Sequence, residues 1–245
     1  MSTVATDVTD NVDPFARTAA TRRWGLALAM CAAPWLIVLA ETGHSLGNPH
    51  GTDDLDPAVA LSIAADHTTL QRWSSFAAMV AAMLMVPAAM GVMRLVRTRA
   101  ARLGLVGGVL TAAGYICYFG LVLQGGFTET AMATVGGPAG HDADVLQAVM
   151  DDPLGAGWVG PLFVLGNVVG TFLLGLALVR ARTAGRWAGY GLMTWSVLHV
   201  LSFSPFVEVA AAIAQAVGMA IAAVAVLRAA EPRAAAPQPY ELLPR

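Results

Sequence analysis

Polar side chains that interrupt apolar runs are the residues of this sequence with the clearest capacity for chemistry. Tyr115, Asn167, His199 and Gln215 each lie thirteen residues from the arginine that bounds their run, and Trp35 lies twelve residues from its own. The bounding arginines are, in the same order, Arg102, Arg180, Arg186, Arg228 and Arg23. At a helical rise of about 1.5 Å per residue, the five side chains share a depth of roughly 20 Å.

This shared depth has two interpretations. A polar group in hydrocarbon is costly unless it faces a partner or a cavity. The pattern therefore predicts an outward-facing cavity with a ligand-binding floor formed by Tyr115, Asn167, His199, Gln215 and Trp35. The alternative is structural, because hydrogen bonds between such side chains commonly hold membrane helices together.

Acids and histidines near the outer ends of the runs are candidates for acid–base or metal chemistry. His199, Glu41 and Glu208 are the candidate catalytic residues. Glu41 and His44 share a helix face, and Glu-x-x-His is one half of a carboxylate di-metal site, whose second half this sequence lacks. Glu41, His44, His199 and Glu208 could instead hold a single divalent metal ion. No cofactor is required by any motif, since the sequence has no P-loop and no C-x-x-C.

Composition predicts the surroundings of these residues. The 245-residue chain has a mean hydropathy of +0.64 and 12% charged residues, whereas soluble domains carry about a quarter. We therefore expect an all-α, polytopic membrane helix bundle whose main partner is the lipid bilayer. No basic patch indicates nucleic acid. Cys31 and Cys117 lie inside apolar runs, which argues against a disulfide framework.

Apolar runs between charged residues predict six transmembrane helices within one domain, residues 17–230. The predicted spans are 24–42, 73–93, 103–124, 157–179, 187–204 and 206–227. A cleaved export signal is the alternative interpretation of the first run, although its 17 apolar residues exceed the usual length of about 7–15. Residues 1–16 and 231–245 are predicted to be disordered cytoplasmic tails. Outer helices are predicted from Asp56 to residue 71 and from His141 to Asp151.

Arginine placement predicts the orientation. Thirteen of the fourteen arginines flank the same ends of the predicted spans, and Arg72 is the exception. The positive-inside rule then places both termini in the cytoplasm. The chain has no lysine and is rich in Ala, Gly and Val, a composition that resembles high-GC bacterial proteins. We therefore expect a bacterial plasma membrane.

Repeated sequence around the arginine turns predicts an internal symmetry. Residues 95–104 resemble residues 178–187, and both contain Leu-Val-Arg followed by further arginines. The pattern indicates a pseudo-threefold repeat of helical hairpins, although similar composition alone would also produce it. Two glycine pairs, Gly166 with Gly170 and Gly185 with Gly189, predict close helix contacts.

Three functions remain open at this point. The first is binding or transport of a small polar or cationic solute in the outer cavity. The second is a membrane-embedded enzyme acting on a lipid or isoprenoid-like substrate through Glu and His acid–base groups. The third is a non-catalytic partner subunit or scaffold. Transport requires a water path below the polar layer, whereas a lipid enzyme requires a closed floor and a lateral opening.

Overall fold

The computed structural model describes residues 14–47, 56–135, 141–152, 156–201 and 204–229, and every regular element in those ranges is helical. The helices are α1 (Pro14–Gly47), α2 (Pro57–Asp66), α3 (Thr68–Val96), α4 (Ala101–Val122), α5 (Thr128–Val135), α6 (His141–Asp151), α7 (Ala156–Val164), α8 (Thr171–Ala181), α9 (Arg186–Val200) and α10 (Pro205–Arg228). Two π-helical segments, π1 (Leu123–Phe127) and π2 (Leu165–Gly170), continue α4 into α5 and α7 into α8.

Six helical rods form a closed ring in chain order. The rods are α1, α3, α4 with π1 and α5, α7 with π2 and α8, α9, and α10. Each rod contacts the next one along the chain, and α10 returns to pack against α1. The buried core is rich in alanine, including Ala33, Ala81 and Ala222, because small side chains let helix backbones approach closely.

Five rods are long and apolar enough to cross a membrane, as expected for a multi-pass helical bundle. They cover Thr18–Gly47, Thr68–Val96, Ala101–Val135, Gly157–Ala181 and Pro205–Arg228, and contain the predicted spans 24–42, 73–93, 103–124, 157–179 and 206–227. The predicted span 187–204 corresponds to α9, which has only 15 residues. A helix needs about 20 residues to cross a bilayer core. The sixth crossing therefore stays a prediction.

The chain ends differ partly from expectation. α1 begins at Pro14, inside the predicted tail 1–16, since proline is well suited to the first turn of a helix. The rest of that tail and residues 231–245 lie outside the described residues.

Three short helices form a layer over one end of the ring. Asp56 caps α2 as predicted, its carboxylate accepting from the Ala58 N–H at 2.9 Å, but α2 ends at Asp66 rather than continuing to residue 71. α2 packs on α5 and α6. Their shared apolar cluster is Leu61, Ala64, Ala133 and Leu146. We call this end of the bundle the acidic end, and the end with the turns 97–100 and 182–185 the arginine end.

Arginines hold helix termini together at the arginine end. Arg99 Nη1 donates to the Ala181 carbonyl at 3.4 Å, and Arg23 Nη1 donates to the Ala229 carbonyl at 3.1 Å. Both acceptors lie at C-terminal helix ends, where a positive charge offsets the helix dipole. Gly185 has φ +77°, a conformation that favours glycine in the turn before α9. Contrary to prediction, it does not pack on another helix.

Glycines allow α4 to touch the π2 rod backbone to backbone. A methyl group added at Gly114 would lie 2.5 Å from the Asn167 backbone nitrogen, and one at Gly170 would lie 2.5 Å from the Thr111 nitrogen. Gly166 faces Leu110 and Gly114 in the same way. The predicted close contact of Gly166 and Gly170 with another helix is therefore confirmed.

Gly114→Ala should destabilise the protein, because its methyl group would meet backbone atoms that cannot move independently. Overpacking of this kind costs about 1–3 kcal/mol, which thermal unfolding in detergent would detect. Gly120→Ala is the matched control, since it lies on the same helix with nothing within 4 Å of the added carbon. Equal midpoints for the two variants would contradict the contact.

Candidate functional site

Two adjoining cavities lie at the acidic end, between the ring and the short helices. The upper cavity has a volume of about 330 Å³, and α2 and α5 cover it through Ala60, Ile63 and Thr130. The lower cavity has a volume of about 120 Å³ and reaches into the ring. Glu41 on α1, Tyr118 on α4 and Glu208 on α10 line both of them.

Two carboxyl groups meet where the cavities join. Glu41 and Glu208 lie within hydrogen-bonding reach of each other, although they come from the first and last rods of the ring. Pro205 begins α10 behind the cap residue Ser204, which places Glu208 in the first turn, where the helix dipole favours a negative charge. Two carboxylates this close repel each other unless they share a proton or a cation.

Histidines and an amide surround the carboxyl pair. His199 Nδ1 lies 4.0 Å from Glu208 Oε1, and both side chains are only about one quarter to one third exposed, at 26% and 30%. His44 Nδ1 is hydrogen-bonded to Gln71 Oε1 at 2.9 Å, which links α1 to α3. Glu129 on α5 lines the upper cavity opposite them. The site therefore gathers three carboxyl groups and two imidazoles.

Aromatic rings form the walls of the lower cavity. Tyr118 stacks on Phe163 with ring centroids 4.9 Å apart, and Tyr115 meets Tyr118 edge to face at 6.1 Å. Trp195 stacks on His199 at 5.0 Å with an interplanar angle of 13°. Aromatic faces attract positive charge through their quadrupole.

A hydrogen-bonded group closes the cavity from below. Gln215 Nε2 donates to Tyr115 Oη at 3.3 Å, and both residues are fully buried. Asn167, which lies in π2, is also buried and lines the lower cavity together with Tyr115. Beneath this layer the ring is filled by apolar side chains such as Met30, Met85 and Met219. π-helical turns often occur at functional sites, and here π1 and π2 both reach the cavity lining, through Gly126 and Asn167.

Most of the predicted site residues come together. Tyr115, Asn167 and His199 line the lower cavity beside Glu41 and Glu208, and Gln215 lies directly under it. His44 lines the upper cavity. Trp35 does not join them: its side chain is 49% exposed, because its angular position on α1 directs it away from the ring.

The predicted metal ligands do not make a metal centre. Within the described residues, no group of three or more His, Cys, Asp or Glu side chains is arranged to hold a metal ion. His44 is already bonded to Gln71, and His199 is stacked on Trp195. Glu41, His44, His199 and Glu208 therefore do not form such a group in the described structure.

One sequence motif in this region is misleading. Gly43 to Gly47 reads Gly-His-Ser-Leu-Gly, which matches the G-x-S-x-G pattern of serine hydrolases. That pattern needs a sharp strand-to-helix turn to expose the serine. Here it lies inside the continuous helix α1, and Ser45 Oγ donates to the Pro205 carbonyl at 3.4 Å. The motif does not form a nucleophile elbow.

Several lining residues were not predicted from the sequence. They are Gln71, Tyr118, Glu129, Phe163 and Trp195. Tyr118 and Trp195 could have been found, since they lie three residues after Tyr115 and four before His199 and so share a helix face with them. Gln71 on α3 and Glu129 on α5 carried no such signal, because their positions depend on how the first turn of α3 packs on α1 and how α5 folds over the ring.

Comparison of the chain with protein-family models, with curated proteins and with solved structures finds no significant match. The chemistry of the site must therefore be argued from its geometry. A carboxyl pair among aromatic rings can attract a positively charged group, and its proton can be exchanged for that group.

Tyr115→Phe should destabilise the folded protein, because it removes the acceptor of the buried Gln215 amide. The expected loss is on the order of 1 kcal/mol, measured by thermal unfolding in detergent. Tyr190→Phe is the matched control, since Tyr190 is 41% exposed. An unchanged midpoint for Tyr115→Phe would show that the hydrogen bond carries no stability.

Proposed function

We propose that this protein binds a small organic cation bearing an amine or ammonium group in its outward-facing cavity. The observation that carries the proposal is the Glu41–Glu208 carboxyl pair, set beside the ring of Tyr118 at the junction of the two cavities. Carboxylates and aromatic faces are the two groups that most often recognise ammonium ions in proteins. The upper volume of about 330 Å³ lies at the lower end of the range for small-molecule sites, about 300–1,000 Å³.

Proton exchange is the expected mechanism of binding. In the empty site the two carboxyl groups share a proton, which relieves their repulsion. An ammonium group replaces that proton and bonds both carboxylates, while its alkyl part packs against Tyr118 and Phe163. His199, next to Glu208 and partly exposed, is placed to pass the displaced proton on to solvent.

Transport of the cation would need a large rearrangement. The layer of Tyr115, Asn167 and Gln215 closes the cavity floor, and the apolar core lies below it. Binding is therefore the primary proposal, and movement of the solute would require the ring to open on its arginine end.

A membrane-embedded enzyme is the second candidate, supported by the 4.0 Å approach of His199 Nδ1 to Glu208 Oε1. A carboxylate beside an imidazole orients it as an acid or base. The substrate would be a lipid or isoprenoid-like molecule that enters between rods. His199→Ala would then abolish turnover, whereas cation binding would keep most of its affinity through the carboxyl pair.

For the topology, we propose six crossings in a bacterial plasma membrane, with both termini in the cytoplasm. The ring order supports this, because α9 contacts α8 and α10 just as every other rod contacts the rods before and after it in the ring. The arginine end would face the cytoplasm by the positive-inside rule. The same ring order is compatible with three hairpins related by a pseudo-threefold axis, as parallel repeats in membrane proteins require.

Single-cysteine labelling would test this topology. With Cys31 and Cys117 replaced by serine, we expect cysteines near residues 50 and 140 to react with an impermeant reagent added outside intact cells. Cysteines at 99 and 183 should react only after the membrane is permeabilised. Outside labelling of a cysteine placed after Arg228 would show that α9 does not cross, because only five crossings would then leave that end of α10 outside.

Glu208→Gln should weaken cation binding by about tenfold or more, because it removes one charge-assisted partner of the ammonium group. The purified protein would be titrated with butylammonium, choline and 1,4-diaminobutane, with the unfolding midpoint as the readout. Asp144→Asn is the matched control, since Asp144 is an exposed carboxylate on α6 at the same end.

The pH dependence adds a second criterion. The proton and the cation compete for one carboxyl pair, so raising the pH removes the competitor and should tighten binding by up to about tenfold per pH unit. Binding that is equally strong at pH 6 and pH 8, or equally weakened by Asp144→Asn, would contradict the proposal. So would the absence of any midpoint shift with all three amines.

A further inference from the structure

A second cavity of about 600 Å³ lies at the arginine end, opposite the site described above. It lies between the C-terminal turns of α3 and α10 and the turn that precedes α9. Its polar lining consists of Arg94, Arg97, Thr98, Thr183 and Arg228, and the remaining lining side chains are apolar ones such as Ile221 and Val224.

The charge of this cavity is strongly positive. Three arginines line it, and every carboxylate in the described part of the chain belongs to the outer helices or to the acidic half of its rod. At a neighbouring helix end, Arg23 donates to the Ala229 carbonyl at the end of α10. Arg99 does the same for Ala181 at the end of α8. Arg23 and Arg99, which bond these two helix ends, are not among the residues that line the cavity.

We propose that this cavity binds a phosphate-bearing anion. Guanidinium groups recognise phosphate oxygens through paired N–H donors, and the hydroxyls of Thr98 and Thr183 supply further donors. Basic pockets between membrane helices at the cytoplasmic surface commonly hold anionic head groups. The apolar residues Ile221 and Val224 would pack against the carbon part of the ligand.

The phosphate can come from two sources that share this chemistry. One is the head group of an anionic phospholipid, whose acyl chains would pass between rods into the bilayer. The other is a free phosphomonoester from solution. The volume of about 600 Å³ accommodates either, so the experiment must separate them.

The test uses the full chain, purified in an uncharged detergent and titrated with phosphatidylglycerol or with glycerol 1-phosphate. Native mass spectrometry would count bound molecules, and the unfolding midpoint would report affinity. We expect R97Q/R228Q to weaken binding by about tenfold or more, since two of three charges are lost. R97K/R228K should retain intermediate affinity, because it keeps the charge and loses the paired geometry. R102Q, an exposed arginine at the same end that does not line the cavity, should bind as the unaltered chain does.

Each outcome is decisive. Binding of phosphatidylglycerol but not of glycerol 1-phosphate supports a lipid head group. Equal binding of both probes supports a soluble phosphate. Binding lost equally in R102Q and R97Q/R228Q would overturn the proposal, because it would indicate surface charge without a site. Failure of both probes to bind the unaltered chain would overturn it as well. If R97Q/R228Q does not fold, R97Q and R228Q are compared singly with R102Q.

Discussion

The cost of placing charge among apolar helices governs the acidic end of this protein. Glu41 and Glu208 bring two carboxyl groups together at the seam where the ring closes, and neither could stand there alone at low cost. The neighbouring features offset the free-energy cost of placing these carboxyl groups among apolar helices. His199 approaches one carboxyl group, the faces of Tyr118 and Phe163 flank the pair, and α2 and α5 restrict its exposure to water.

Helical rise explains why much of the site could be predicted from the sequence. Rise per residue is nearly constant, so counting from a bounding arginine placed Tyr115, Asn167, His199 and Gln215 at one level, where the structure brings them together. The rise per residue does not give the angular position of a side chain around the helix axis. Trp35 was therefore predicted to join the site, although its side chain faces outward. Depth and angle are separate coordinates, and only the first could be read directly from residue spacing.

The remaining features depend on how separate elements meet. The upper wall is built by α2 and α5, whose packing on each other through Leu61 and Ala133 follows from tertiary contacts rather than local pattern. The two π-helical segments were likewise not predicted, because a widened turn is stabilised by its neighbours. In π2 the neighbour is α4, whose Gly114 lets the Asn167 backbone approach closely. That approach places Asn167 with Tyr115 in the lining of the lower cavity. A small residue on α4, Gly114, thus determines where the polar side chain of Asn167 lies.

The closure of the ring between its first and last rods has a consequence for biosynthesis. α1 is synthesised first, so Glu41 is in place before its partner Glu208, which is synthesised 167 residues later. Until α10 is inserted, neither cavity wall is complete and Tyr115 lacks its partner Gln215. The proposed binding site is therefore among the last features to form during translation. A ribosome that stops before α10 releases a chain with most of its helices but without Glu208 and Gln215.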